Sequence, residues 1–203
     1  MKNYIKNLKL LTKNHVYSKE MEHDACGVGA IVSTEGKKSR IIVEYGIEAL
    51  KAVWHRGAVD ADGKTGDGAG IHLEIPKDFF IEKIEVTGHD YDNSEICVGM
   101  IFLPRNDYSA QESCKTIVES ELTKNNFSIY GWRQVPVNPK ILGQKAIQTM
   151  PEIMQVLFKS NDKNLLDKNL ERKIYETRKK IEKKKFQLSL NNFYIGSINS
   201  KSI

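Results

Sequence analysis

No apolar stretch in this 203-residue chain approaches the roughly 20 residues needed to cross a bilayer, so no membrane-spanning helix is expected. The start, Met1 to Tyr17, alternates lysines with single apolar side chains. It lacks both the unbroken apolar block and the small-residue cleavage site of a secretory signal, which argues against export. Cysteine is scarce: Cys26, Cys97 and Cys114 are odd in number and show no CxxC spacing. That indicates neither a disulfide framework nor a zinc knuckle, and it fits a reducing cytoplasm. Two nucleotide-binding signatures are absent as well. Counting back from Gly63-Lys64-Thr65 puts Ala58 where a phosphate-binding loop needs its first glycine, and Gly66, Gly68 and Gly70 alternate instead of forming G-x-G-x-x-G. Internal repeats and low-complexity segments are also missing.

What is present is an ordinary globular composition, 40% hydrophobic and 28% charged, in a chain long enough for one substantial domain or part of a larger one. The net charge of +5 comes mostly from lysine, concentrated in Met1–Lys13 and Arg172–Lys185. With no aromatic–basic interleaving, these runs read as solvated helix faces and not as a nucleic-acid patch.

Past the lysine-rich leader, strand-like and helix-like segments alternate. Ile47, Leu50 and Trp54 form a helical stripe over Glu44–Trp54, with Gly57 placed to cap it in the left-handed conformation. Gly68–Ile75 reads as a strand closed by Pro76. Ile96–Leu103 is a compact apolar run that fits a central strand covered on both faces. Ser109-Ala110-Gln111-Glu112 has the form of a capping box, and Ala110, Cys114, Ile117, Val118 and Leu122 continue it as the clearest helix. Phe127–Val137 reads as a strand, Met150–Phe158 as a short helix introduced by Pro151, and Leu166, Leu170, Ile174 and Ile181 as the stripe of a long charged helix. Asn192–Ile198 closes the pattern as a strand. This mixture suggests α+β layers more than a parallel doubly wound sheet. Cys97 and Cys114 fall on apolar stripes and are expected to be small core residues.

Cys26 opens the run Cys26–Ser33, which reads as a buried strand. A thiol on the first residue of such a strand becomes an N-terminal nucleophile if the leader is removed. Its freed α-amine, which ordinarily titrates at roughly 7.7–8.0, then serves as its own general base. The densest motif follows the first helix: His55-Arg56-Gly57-Ala58, then Asp62-Gly63-Lys64-Thr65-Gly66-Asp67-Gly68-Ala69-Gly70. Glycine at this density implies a tight loop that packs closely against a neighbour.

Glu22–Gly29, His55–Ala58 and Ala61–Gly70 together resemble the N-terminal region of glutamate synthase large subunits, a class II (N-terminal nucleophile) glutamine amidotransferase domain. The resemblance continues through Gly131–Val137, Leu170–Tyr175 and Phe193–Ser197, in family order. It implies a four-layer αββα sandwich, a propeptide at residues 1–25, and residues 26–203 as the front of the amidotransferase domain. Cys26 is the implied nucleophile on the glutamine carboxamide. Arg56, with Gly57 beside it, is the implied support near the nucleophile, although an arginine there also suits the C-terminal carbonyls of the preceding helix. Asp62, Lys64 and Asp67 are expected to order their loop through Asx-type hydrogen bonds, and Trp132 and Arg133 to be scaffold.

The resemblance further implies that the parent enzyme carries FMN and an iron–sulfur cluster outside this chain. Its implied partners are the remainder of the large subunit and a small subunit. The family's oxyanion Asn-Gly pair has no counterpart, because no Asn-Gly dipeptide occurs in the sequence, and the residues that grip glutamine are expected past Ile203. Two readings follow: the front portion of a glutaminase domain, or an idle product of a split or frameshifted gene. A basic nucleic-acid-binding protein ranks below both, since it leaves the ordered glycine motifs unexplained.

Overall fold

The structure, a computed structural model, describes residues 6–7, 9–10, 13, 27–54, 57–162, 164–165 and 167–203. It divides into two compact units, Met1–Ala58 with Asp67–Ala69, and Val59–Gly66 with Gly70–Ile203.

In the first unit, helix α1 spans Arg40–Ala52. It begins four residues before the expected Glu44 because Ser39 caps it, its Oγ accepting the Ile41 N–H at 3.3 Å. Val43, Ile47 and Leu50 lie half-buried at helical spacing. Two expectations fail here. Residues 27–33 form no strand, and Val28 is 91% exposed. A strand needs a ladder partner, and all the strand ladders among the described residues lie in the second unit. Gly57 is not a left-handed cap either. The helix ends at Val53, and the Gly57 N–H closes a separate turn onto the Trp54 carbonyl at 3.1 Å.

The second unit is built on strands β1 (Cys97–Leu103), β2 (Phe127–Gln134), β3 (Glu152–Ser160) and β4 (Tyr194–Asn199), antiparallel and ordered β2-β3-β1-β4. β1 is internal, as its unbroken apolar run predicts. Alternation along it sends Cys97, Ile101 and Leu103 to one face and Val98 to the other. On the first face they join Val156 and Phe158 under helices α3 (Tyr108–Lys124) and α5 (Asp167–Gln187). Those helices contribute Cys114, Ile117, Val118, Leu122, Leu170, Ile174 and Ile181, all buried. Each such aliphatic side chain contributes about 1.5–3 kcal/mol of burial. On the opposite face Val98, Leu157 and Tyr130 pack with Ile75 and with Phe80 and Ile84 of helix α2 (Lys77–Val86). Gly99 makes the sheet centre possible: a Cβ there would sit 2.7 Å from Val156 Cγ1 and 3.4 Å from Ile198.

Other local expectations are corrected here. Met150–Phe158 is not a helix; Glu152–Ser160 is β3, an inner strand. Val156-Leu157-Phe158 is buried on both faces, and such a continuous run carries no period that separates strand from helix. The cap of α3 is Asp107, which accepts the Ala110 N–H at 2.9 Å, while Glu112 binds Lys115 and does not reach back. The expected strand at Gly68–Ile75 contracts to one bridge, Glu74 to Ser202, flanked by backbone bonds of Leu73 to Ile203 and of Ile75 to Lys201. Helices α2 and α4 (Gln144–Thr149) are not anticipated by any pattern read from the sequence. Leu166 lies outside the described residues.

Candidate functional site

Cys26, His55 and Arg56 lie outside the described residues. Of the three site candidates Cys26, Arg56 and Gly57, Gly57 alone is placed, exposed in the turn that follows α1. One residue on, and within the first unit, the Ala58 N–H donates to Asp67 Oδ2 at 2.8 Å.

Within the second unit, Val59–Gly66 is a small self-contained turn. Val59 bridges Gly66, the Asp60 N–H donates to the Thr65 carbonyl at 2.8 Å, and Gly63 turns at φ +68°. The Asp62 side chain fills it. Oδ1 accepts the backbone N–H groups of Lys64 and Thr65 at 3.0 and 2.7 Å, and Oδ2 accepts the Thr65 hydroxyl at 2.6 Å. These bonds, led by the Thr65 hydroxyl, hold the Asp62 carboxyl well below the usual carboxylate range. The carboxylate is thus spent on its own loop, the Asx role expected from sequence, and has no proton to exchange near neutral pH.

The turn is seated against the start of α4. A Cβ on Gly143 would lie 2.2 Å from Thr65 Oγ1, 2.4 Å from Asp62 Oδ2 and 2.6 Å from the Thr65 nitrogen. Lys145 of α4 binds both Asp60 carboxylate oxygens at 2.7 and 2.8 Å. Sequence reasoning missed Gly143 and Lys145, which stand about 80 positions from their partners with no local pattern to connect them.

Trp132 and Arg133 are placed as scaffold. The Trp132 indole N–H donates to Glu119 at 2.7 Å, and Arg133 donates to Gln155 while lying over the Phe79 ring. Cys97 and Cys114 are buried in the core. Burial raises both thiols, Cys114 to about 11, so neither is a thiolate at neutral pH. No group of three or more His, Cys, Asp or Glu that could hold a metal ion occurs among the described residues. Among them, too, no helix is long and apolar enough to cross a membrane.

This antiparallel half-layer and its glycine-rich turn accompany a family match that starts at Cys26. Residues 26–203 match the family described as glutamine amidotransferases class-II, and the chain belongs to that family. The α+β architecture is that of an N-terminal-nucleophile hydrolase, with one antiparallel sheet of the αββα sandwich and its helices described here.

Its relatives are narrower still in kind. The chain is 51% identical to the glutamate synthase [NADPH] large chain of Azospirillum brasilense over 97% of its own length, and 37% identical to the ferredoxin-dependent glutamate synthase of Pyropia yezoensis over 96%. It is 40% identical to ferredoxin-dependent glutamate synthase 1 of Arabidopsis thaliana over 80%. It spans only 13%, 13% and 10% of the lengths of these proteins. Coverage of 97% exceeds what residues 26–203 alone provide, so the segment before Cys26 has a counterpart in the Azospirillum protein.

Proposed function

We propose that residues 26–203 are the front portion of a glutamate synthase glutaminase domain, with Cys26 as the nucleophile and residues 1–25 as a propeptide. The observation that carries this reading is the start of the class II match at Cys26, downstream of a leader that a close relative shares. Once the leader is gone, the Cys26 thiol gives its proton to its own α-amine and Sγ attacks the side-chain carboxamide carbon of glutamine. The C–N bond breaks, the proton leaves with ammonia, and a γ-glutamyl thioester remains. Water hydrolyses it to glutamate and restores the thiol.

The role proposed for Arg56 is to favour thiolate over thiol at Cys26, with Gly57 in the supporting turn. The Asp60–Gly66 turn acts as a rigid support and not as a substrate ligand, because its carboxylates are already bonded. The oxyanion donors and the groups that hold the glutamine α-carboxylate and α-amine come from polypeptide outside these 203 residues. So do the FMN and iron–sulfur sites of the parent enzyme, which consumes the ammonia in the cytoplasm. The remaining large-subunit domains and a small subunit are its partners.

Glutamine hydrolysis by the whole enzyme tests this. Cys26→Ala should abolish ammonia release, and the 203-residue chain alone should release none above background. Turnover that survives Cys26→Ala removes the reading.

A further inference from the structure

Helix α5 carries nine basic and four acidic residues, a surplus equal to the net charge of the whole chain. Its inward face is fixed by Leu170, Ile174, Thr177 and Ile181, all buried. At 100° per residue the opposite face is a single stripe: Lys168, Arg172, Tyr175, Lys179, Lys183 and Phe186. Each of the six is exposed, and Phe186 is 85% exposed at the C-terminal end. Eleven residues, three turns, separate the two aromatics, so their common face is invisible in the linear sequence. Their stripe spans about 27 Å from Lys168 to Phe186 at 1.5 Å per residue.

Two of the four cations on this stripe, Arg172 and Lys179, are themselves engaged in ion pairs, and Glu171 beside it accepts the Ser200 N–H and hydroxyl. Glu176 is paired with Arg172, and Glu182 is held by both Arg178 and Lys179. Lys183 makes no ion pair among the described residues, its acidic neighbours Glu176 and Glu182 being so paired. Attraction to the helix dipole accounts for Lys184 and Lys185 in the last turn, but not for Lys168 in the first, where a cation is unfavourable.

Phe186 also forms one wall of a groove of about 680 Å³ at the C-terminal end of α5. Leu190, Tyr194 and Ile195 supply further apolar lining, Ile181 and Phe193 its buried floor, and Lys185, Arg178 and the paired Glu182 a charged edge of net positive sign. The Tyr194 ring is held open against solvent by stacking on Phe102, with centroids 4.6 Å apart. The groove is pre-formed: Arg178 ties α5 to β4 through the Ile195 carbonyl at 3.0 Å.

We propose that this basic, aromatic face of α5 and the groove at its end dock an acidic polypeptide segment of another protein, with one apolar side chain inserted beside Phe186. Charge complementarity selects the occupant. The leader of this chain is itself lysine-rich, and a second copy would bring the same positive stripe, so neither is a match. The groove accepts an apolar anchor, while the lysines supply attraction and orientation over a rim that remains wet.

The test is fluorescence anisotropy of labelled twelve-residue peptides titrated with the whole enzyme. One peptide carries glutamates around a central Phe-Leu pair, a second replaces that pair with serines, and a third replaces the glutamates with lysines. The first should bind, at least fivefold tighter than the second, with no binding of the third, and should weaken at least tenfold between 0.05 and 0.5 M salt. Lys168→Glu with Lys183→Glu should weaken it at least tenfold. Phe186→Ser should weaken the first peptide about fivefold and leave the second unchanged, with Phe186→Leu restoring most of the loss. Hydrogen-exchange protection on binding should fall on residues 181–195. Equal affinity for the first two peptides, indifference to the lysine reversals, protection elsewhere, displacement by duplex DNA at equal charge, or no binding at 0.1 mM enzyme each overturns the proposal.

Discussion

Gly143→Ala probes the seating of the Asp60–Gly66 turn against α4. Gly143 has φ −71° and ψ 160°, a conformation alanine adopts freely, so the substitution carries no backbone strain. Fewer unfolded conformations would favour alanine by about 0.4–1 kcal/mol, a gain opposed by its poorer fit than glycine at the N-cap of α4. Here the new methyl meets Thr65 Oγ1 at 2.2 Å, Asp62 Oδ2 at 2.4 Å and the Thr65 backbone nitrogen at 2.6 Å. The first two are held in place by the Asx bonds, and the third is backbone, so the turn must move as a body. Overpacking of this kind costs about 1–3 kcal/mol. The net expectation is a loss of about 1–2 kcal/mol, or roughly 2–8 °C in Tm for a chain of this size. Thermal unfolding followed by far-UV circular dichroism measures it. Thr65→Ala in the same background should recover only part, since the backbone nitrogen remains. A rise in Tm on Gly143→Ala would refute the packing of the turn against α4.

Ile174→Ala, in the layer between α5 and the sheet, should cost about 2–5 kcal/mol in urea unfolding, while Lys183→Ala on the opposite face should change stability by less than about 0.5 kcal/mol. Acid should destabilise the chain through Asp92, whose carboxyl is lowered first by the Lys159 ammonium and then by Ser94. A depressed folded pKa contributes stability above the unfolded value and loses it as pH falls through the folded one. The loss therefore begins near pH 4 and continues downward, and Asp92→Asn should flatten that part of a Tm-against-pH curve. Titration with an aromatic disulfide reagent at pH 8 should leave Cys97 and Cys114 unmodified until denaturant is added, since burial keeps both thiols protonated. Fast reaction at either would contradict the placement of β1 and α3.

The elements legible in the sequence are those with a strong period or a single environment. β1 is marked by an apolar run ended by Pro104, α3 by Cys114, Ile117, Val118 and Leu122, and α5 by Leu170, Ile174 and Ile181. β3 hides among helices because Val156-Leu157-Phe158 faces covered surroundings on both sides, which erases the alternation that marks a strand. Residues 27–33 look like a strand by composition, but pairing is a property of two segments, and no partner stands beside them among the described residues. At the candidate site, the inward role of Asp62 is legible because Asx bonding is local. The contribution of Gly143 and Lys145 is not, since it depends on a contact across some 80 residues that only the folded chain creates.

The measurement that bears most directly on the central claim is the mass of the N-terminal peptide of the protein isolated from its own cells. The account predicts a mature chain that starts at Cys26, with a free α-amine that forms a thiazolidine with an added aldehyde. A chain that keeps residues 1–25 ahead of Cys26, in an enzyme that still hydrolyses glutamine, would contradict it.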